Sequence, residues 1–311
     1  MSLAPFVQIV ARGKGRGRAM TFAEAQEAMA LILRGDAAPE AVGALLMVMR
    51  MRGETAEEIA GFTAALRAHV AGALPPADLD WPSYAAGRSR GAPLFLLAAR
   101  LVAQAGFTVS MHGWNSHQSA VASVRDALDL IGPDVQYSAL ETLSPAAFAL
   151  LRLRDVLGLR SCFNTVLRMW NPSCAPVSVQ GVFHPSYRSL QAEAAEILGQ
   201  KDLTIIKGGG GEFERHPSKE IAVFGLRDGP HIAETAPALC DEKRRLHEVS
   251  ATVDLRALWA GTVTDEFSIA TVTGTAALAL WSLKAAANLT DAQTLAEGLW
   301  AKRHQPESLS A

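Results

Sequence analysis

Residues 12 to 18 read RGKGRGR: Arg12, Lys14, Arg16 and Arg18 alternate with glycines, and no acidic residue appears before Glu24. Glycine lets a backbone approach a polyanion closely, and each cation that meets a phosphate releases a counterion, so this spacing suits a phosphate track. It equally suits a solvated leader. Arg88 and Arg90 form a second basic pair, in the loop YAAGRSRG. Guanidinium forks there would match phosphate oxygens two at a time, unless Asp78 and Asp80 neutralise them. Lys207 opens KGGGG after a β-branched run. Lacking a Gly-Lys-Ser/Thr ending and a clear following helix, this is neither a Walker loop nor a dinucleotide fingerprint, but a turn from which Lys207 can reach an anion.

His112, His117, Glu212 and Glu214 are residue types that bind metals, but their spacing fits no zinc signature, so structural histidines are expected and no metal site. Cys162, Cys174 and Cys240 are far apart and form no Cys-x-x-Cys pair, which argues against disulfides and zinc alike and fits core thiols in a reducing cytoplasm. Tyr84, Trp114 and Trp170 could stack on unpaired bases or simply pack.

The elements that must position these residues are legible in the periodicity. Thr21-Phe-Ala-Glu24 and Thr55-Ala-Glu-Glu58 are capping boxes, and Pro39 suits a first helical turn, so three helices are expected before the LPPADLD linker at residues 74 to 80. Beyond the linker LFLLAARLVAQAG reads as a buried helix, FTVSMHG as a strand and AVASVRDALDLIG as a helix. VSVQGVF, LTIIKG and IAVFGL read as strands, with the helix QAEAAEILG among them and a long alanine-rich helix in FSIATVTGTAALALWSLKAAANL. Strands separated by helices imply an α/β fold with a mostly parallel sheet covered on both faces. A chain of 311 residues, 49% hydrophobic and with a net charge of −2, can bury a large core and carries no overall basic field. No apolar stretch is long enough to span a membrane.

In order, LILRGDAAPEAVGALLMVMRMRGETAEEIAGF, MHGWNSH, LGLRSCFNTVLRMWNPSCAPVSVQGVFHPSY and IIKGGGGEFE resemble the anthranilate phosphoribosyltransferases of glycosyltransferase family 3, related to the nucleoside phosphorylases. The resemblance implies a small helical dimerisation domain, residues 1–73, and an α/β domain, residues 74–311, with a stretch near 165–185 returning to the helical part. A ribose diphosphate would sit in the cleft between them. In that family, backbone amides of a Gly-Thr-Gly-Gly-Asp-Gly loop cradle pyrophosphate and an Asp-Glu pair holds magnesium.

The chain departs from each of these parts. PSYAAGRSRG stands at the glycine loop, keeping Gly87 and Gly91. Met111-His112-Gly113-Trp114 stands for Lys-His-Gly-Asn, and Phe213-Glu214 for Asp-Glu, with Glu212 one place away, which leaves one carboxylate or an altered pair. Arg154, Arg160 and Asn164 match family cleft positions. Pro-Ser-Tyr with basic residues behind it, and the basic N-terminal run, resemble the second, non-biosynthetic (YbiB-like) branch. That implies a cytoplasmic homodimer lacking the ordinary transfer. It would bind DNA or RNA with little sequence preference through Arg12, Lys14, Arg16, Arg18, Tyr84, Arg88, Arg90, Lys207 and Arg215, with no catalytic residue and no cofactor. The alternative is an active pentosyl or phosphoribosyl transferase with an altered substrate, the one case in which magnesium is expected. A purely structural or protein-binding descendant is a third.

Overall fold

The computed structural model describes residues 2–13, 15–70, 72, 74–84, 91–114, 123–246 and 253–304. One sheet runs in the order β3-β2-β1-β4-β5-β6-β7. Its strands are β1 (Leu79–Ser83), β2 (Val109–Gly113), β3 (Val135–Ala139), β4 (Val177–Val182), β5 (Asp202–Lys207), β6 (Ile221–Leu226) and β7 (His231–Ala236). The first five are parallel, and β6 and β7 add an antiparallel hairpin at one edge. Strands β1, β2 and β4 are buried along their whole length, as parallel strands covered on both faces must be. Pro82 is tolerated in β1 because the ladder to β4 ends at Asp80, two residues before the missing donor.

One face is covered by α5 (Phe95–Gln104), α10 (Leu255–Ala260), α11 (Glu266–Ser282) and α12 (Leu289–Lys302). The alanine-rich segment is thus one buried helix, α11, N-capped by Asp265 through the Ser268 amide. On the other face lie α9 (Tyr187–Ile197) and the helical layer: α1 (Ala4–Ala11), α2 (Phe22–Leu33), α3 (Pro39–Arg52) and α4 (Ala56–His69). The short α6 (Leu140–Leu143), α7 (Pro145–Leu157) and α8 (Phe163–Arg168) join that layer, whereas Val177–Val182 runs in the middle of the sheet.

Both capping boxes form as expected, at Thr21/Glu24 and Thr55/Glu58. Helices α2 and α4 approach so closely at Gly61 that a Cβ there would stand 2.4 Å from the Phe22 carbonyl oxygen. Two expectations change. AVASVRDALDLIG does not form the expected helix over its described residues, 123–132: there only Arg125–Leu130 is helical, as a 3-10 segment. The N-terminal segment carries a fourth helix, α1, which buries Leu3, Phe6 and Val10, and the chain then folds back so that the Arg18 amide donates to the Ile9 carbonyl at 3.0 Å. Eight residues gave too short a periodicity to show this. No described helix is long and apolar enough to cross a membrane.

Glu58 ties the helical layer together. It is fully buried, accepts from the Met20 and Thr55 amides at 2.9 and 3.0 Å, and takes both bonds from Arg52 at 2.5 and 2.7 Å. Glu58→Ala strands Arg52 and two amides, and should cost about 3 kcal/mol in chemical denaturation. A loss below about 1 kcal/mol would show that water replaces the carboxylate.

Candidate anion-binding cleft

The carboxyl ends of β1, β2, β4 and β5 all point to one edge of the sheet, facing the helical layer, which is where open α/β sheets bind ligands. At the base of this edge is a buried polar chain. The Tyr84 hydroxyl bonds His112 Nδ1 at 2.8 Å, His112 Nε2 meets Asp80 Oδ1 at 3.1 Å, and Ser178 Oγ donates to Asp80 Oδ2 at 2.8 Å. Burial pushes the Tyr84 phenol well above its ordinary value, so it stays neutral. Only glycine fits at 113, where a Cβ would lie 2.0 Å from the Ser83 carbonyl oxygen.

These contacts correct two expectations. Tyr84 is 3% exposed and turned inward, so it cannot meet a nucleic acid directly, and Trp170, fully buried against His112, cannot stack on a base. Trp114 is half-buried, edge-on to Phe148 at 5.1 Å. His112 is a structural histidine, and no metal-binding cluster of three or more His, Cys, Asp or Glu occurs among the described residues.

The three departures at the diphosphate side have physical form. Met111 is fully buried in the core. Phe213 is fully buried and packs edge-on against Trp81 at 5.3 Å. Glu214, also fully buried, accepts the Phe95 amide at 3.0 Å, at the N-terminus of α5. Its carboxylate already occupies the positive end of a helix. A phenylalanine in the core and a carboxylate bound to backbone are not the family's adjacent Asp-Glu pair; the second carboxylate here is the buried Glu212, two residues before Glu214.

The other side of the cleft is open. A cavity of about 230 Å³ is lined by Arg50, Arg160, Asn164, Arg168, His184 and Tyr187, and no Asp or Glu lines it among the described residues. Arg50 donates to the Arg160 carbonyl at 2.6 Å, fixing the rim. Burial, and then the like charges of Arg154, Arg168 and Arg50, hold the Arg160 guanidinium below its usual value. Arg168 is 7% exposed and is also held down by burial, against the attraction of Glu212. Several guanidinium groups sharing one cavity are a preformed anion site, because an anion relieves their mutual repulsion.

Lys207 lines a neighbouring cavity of about 330 Å³ with Arg188, His216, Lys219 and a single carboxylate, Glu220. Arg215 is a correction: it is 3% exposed, donates to the Pro237 carbonyl and is pushed down to about 10 by burial, so it serves the core and not a ligand. Arg12 and Arg16 are exposed as expected. Arg18 is not a free cation: it pairs in two bonds with Glu24, whose carboxyl is held down to about 2, chiefly by that contact, so it stays ionised across the physiological range. Lys14, Gly87, Arg88, Arg90 and His117 lie outside the described residues.

Sequence reasoning missed Arg50, Arg168, His184 and Arg188. Arg168 sits eight residues beyond Arg160, on a short helix whose six residues are all buried, and nothing local marks an arginine there as lining a cavity.

A family description, the helical bundle domain of the glycosyl transferase family, matches residues 9–70. The anthranilate phosphoribosyltransferase of Geobacillus kaustophilus is 31% identical over an alignment covering 91% of this chain and 88% of that protein. This chain belongs to the anthranilate phosphoribosyltransferase family. The family enzyme of Bacillus caldotenax is likewise 31% identical, covering 68% of this chain and 95% of its own length. Among solved structures, the anthranilate phosphoribosyltransferase of Thermus thermophilus superposes with a TM-score of 0.78 at 22% identity, covering 97% of this chain and 95% of that one. The Saccharomyces cerevisiae enzyme in complex with PRPP and Mg gives 0.71 at 17% identity, covering 96% and 93%. The helical layer and the mostly parallel sheet are therefore the family's fold.

Proposed function

We propose that this family member does not carry out the ordinary phosphoribosyl transfer and instead binds nucleic acid, DNA or RNA, with little sequence preference. The observation that carries this reading is the cavity lined by Arg50, Arg160 and Arg168 without a carboxylate among the described residues. Lys207 and Arg188 line a neighbouring cavity, and Arg12 and Arg16 are exposed in the N-terminal segment, so there are more cations than a single small anion needs. Loss of transfer is supported by the other side of the cleft. The yeast relative was solved with PRPP and Mg, whereas here Met111, Phe213 and Glu214 are built into the interior. Each lost electrostatic contact of this kind costs roughly 100- to 1,000-fold in rate. A homodimer through the helical layer would duplicate the track and lengthen it, and the exposed Met51 and Val156, each 82% accessible, suit such a contact.

A second reading is a transferase with an altered substrate, favoured by Asn164 and Arg160 lining a cavity of small-molecule size. Two assays separate them: pyrophosphate release from PRPP with magnesium over a panel of acceptors, and titration of a labelled oligonucleotide. The proposal expects binding and no acceptor-dependent release. Release that is lost in Arg160→Ala, together with undetectable oligonucleotide binding, would exchange the two readings.

A further inference from the structure

The two basic cavities are separated by one short segment, and its tip is aromatic. Strand β4 ends at Val182, and Phe183 and His184 follow at the surface before α9 begins at Tyr187. Phe183 is 47% exposed, in contrast to the buried Tyr84 and Trp170, and the His184 ring meets it edge-on at 4.9 Å. On one side is the cavity holding Arg50, Arg160 and Arg168, whose wall Phe183 itself forms together with His184 and Tyr187. On the other is the cavity holding Arg188, Lys207 and Lys219.

Consecutive residues face opposite ways here, Tyr187 into the first cavity and Arg188 into the second. The Lys207–Gly211 turn closes the arrangement. The Gly208 amide donates to the Val182 carbonyl at 3.2 Å, and a Cβ on Gly211 would lie 3.3 Å from an Arg168 nitrogen and 3.7 Å from Phe183. Arg188 is itself held in place over the Phe224 ring, 4.3 Å from its centroid. No salt bridge engages Arg160, Arg188, Lys207 or Lys219 among the described residues.

A large apolar ring exposed between two sets of cations has a specific use. A paired base offers no open face, whereas an unpaired one can lie on a ring while the phosphates on either side of it meet cations. We propose that Phe183, backed by His184, is a base-stacking platform between two phosphate-binding cavities, so that the nucleic acid this cleft takes is single-stranded. The inference rests on the nucleic-acid reading above and narrows it to unpaired strands.

The test uses the full chain and three labelled probes of equal length at one salt concentration: an oligothymidylate, the same strand annealed to its complement, and a strand whose central residues are abasic. The oligothymidylate should bind most tightly. Phe183→Ala should weaken it by roughly 5- to 150-fold, the range for one stacked base, while leaving the duplex and abasic probes within about twofold. Phe183→Tyr should keep wild-type binding, and Phe183→Leu, which preserves apolar bulk but not the flat ring, should behave as the alanine variant does. The salt slope should not change in any Phe183 variant, because no charge is lost, whereas Arg188→Gln with Lys207→Gln should flatten it. Equal binding of the thymidylate and abasic probes, or an unaltered affinity in Phe183→Ala, overturns the platform and leaves the nucleic-acid reading standing. Failure of all three probes to bind overturns both.

Discussion

Raising monovalent salt from about 50 to about 200 mM is expected to weaken binding of a labelled single strand by at least roughly 50-fold. The figure follows from counterion release: single strands lose affinity with a slope of about −0.7 per neutralised phosphate, so four contacts and a fourfold rise in salt give that factor. Four of the cations that line the two cavities without a salt bridge among the described residues, Arg50, Arg160, Arg188 and Lys207, suffice for that number. Replacing Arg12, Lys14 and Arg16 by alanine should lower affinity for every sequence alike and flatten the slope further, by up to about 2. Arg18→Ala should change little, because Arg18 is already spent on Glu24. Binding that is indifferent to salt would mean that the cavities hold something other than phosphate backbone.

The second large effect is on stability. Returning the family's residues through Met111→Lys and Phe213→Asp should not create a transferase; it should unfold the α/β domain at a much lower temperature. Both side chains are fully buried, and Phe213 is wedged against Trp81. Each change places an unpaired charge in an apolar interior, and Phe213→Asp also removes a ring, so each should cost about 4 kcal/mol or more. Together they should lower Tm by well over about 10 °C in a chain of this size. A double variant that melts within a few degrees of wild type and releases pyrophosphate would show that the frame has kept its chemistry.

The fold was legible because its signals are local and repeated. Capping boxes at Thr21 and Thr55 announced α2 and α4, and the β-branched runs at 177, 202 and 221 announced β4, β5 and β6. Helix α1 was hidden by its shortness. AVASVRDALDLIG misled because its apolar spacing suits a helix, yet among its described residues only a 3-10 segment over Arg125–Leu130 forms. The site was less legible, for a different reason. Basic residues were visible as types, but whether an arginine faces a ligand or serves the interior depends on partners distant in the chain. Arg215 bonds a carbonyl 22 residues away, Arg168 bonds one 84 residues away, and Arg50 reaches Arg160 across 110. Aromatic residues behave the same way: Tyr84 looked available and is buried, whereas Phe183 was read as the end of a strand and stands exposed.

The bond from the Phe95 amide to Glu214 has a wider consequence. A helix that begins at a ligand site is left wanting an anion whenever the ligand departs, and its steadiness then follows the ligand's concentration. Helix α5 carries its own anion, supplied from the loop after β5 and present at whatever effective concentration the fold dictates. The empty and the occupied protein should therefore be equally well ordered at this point.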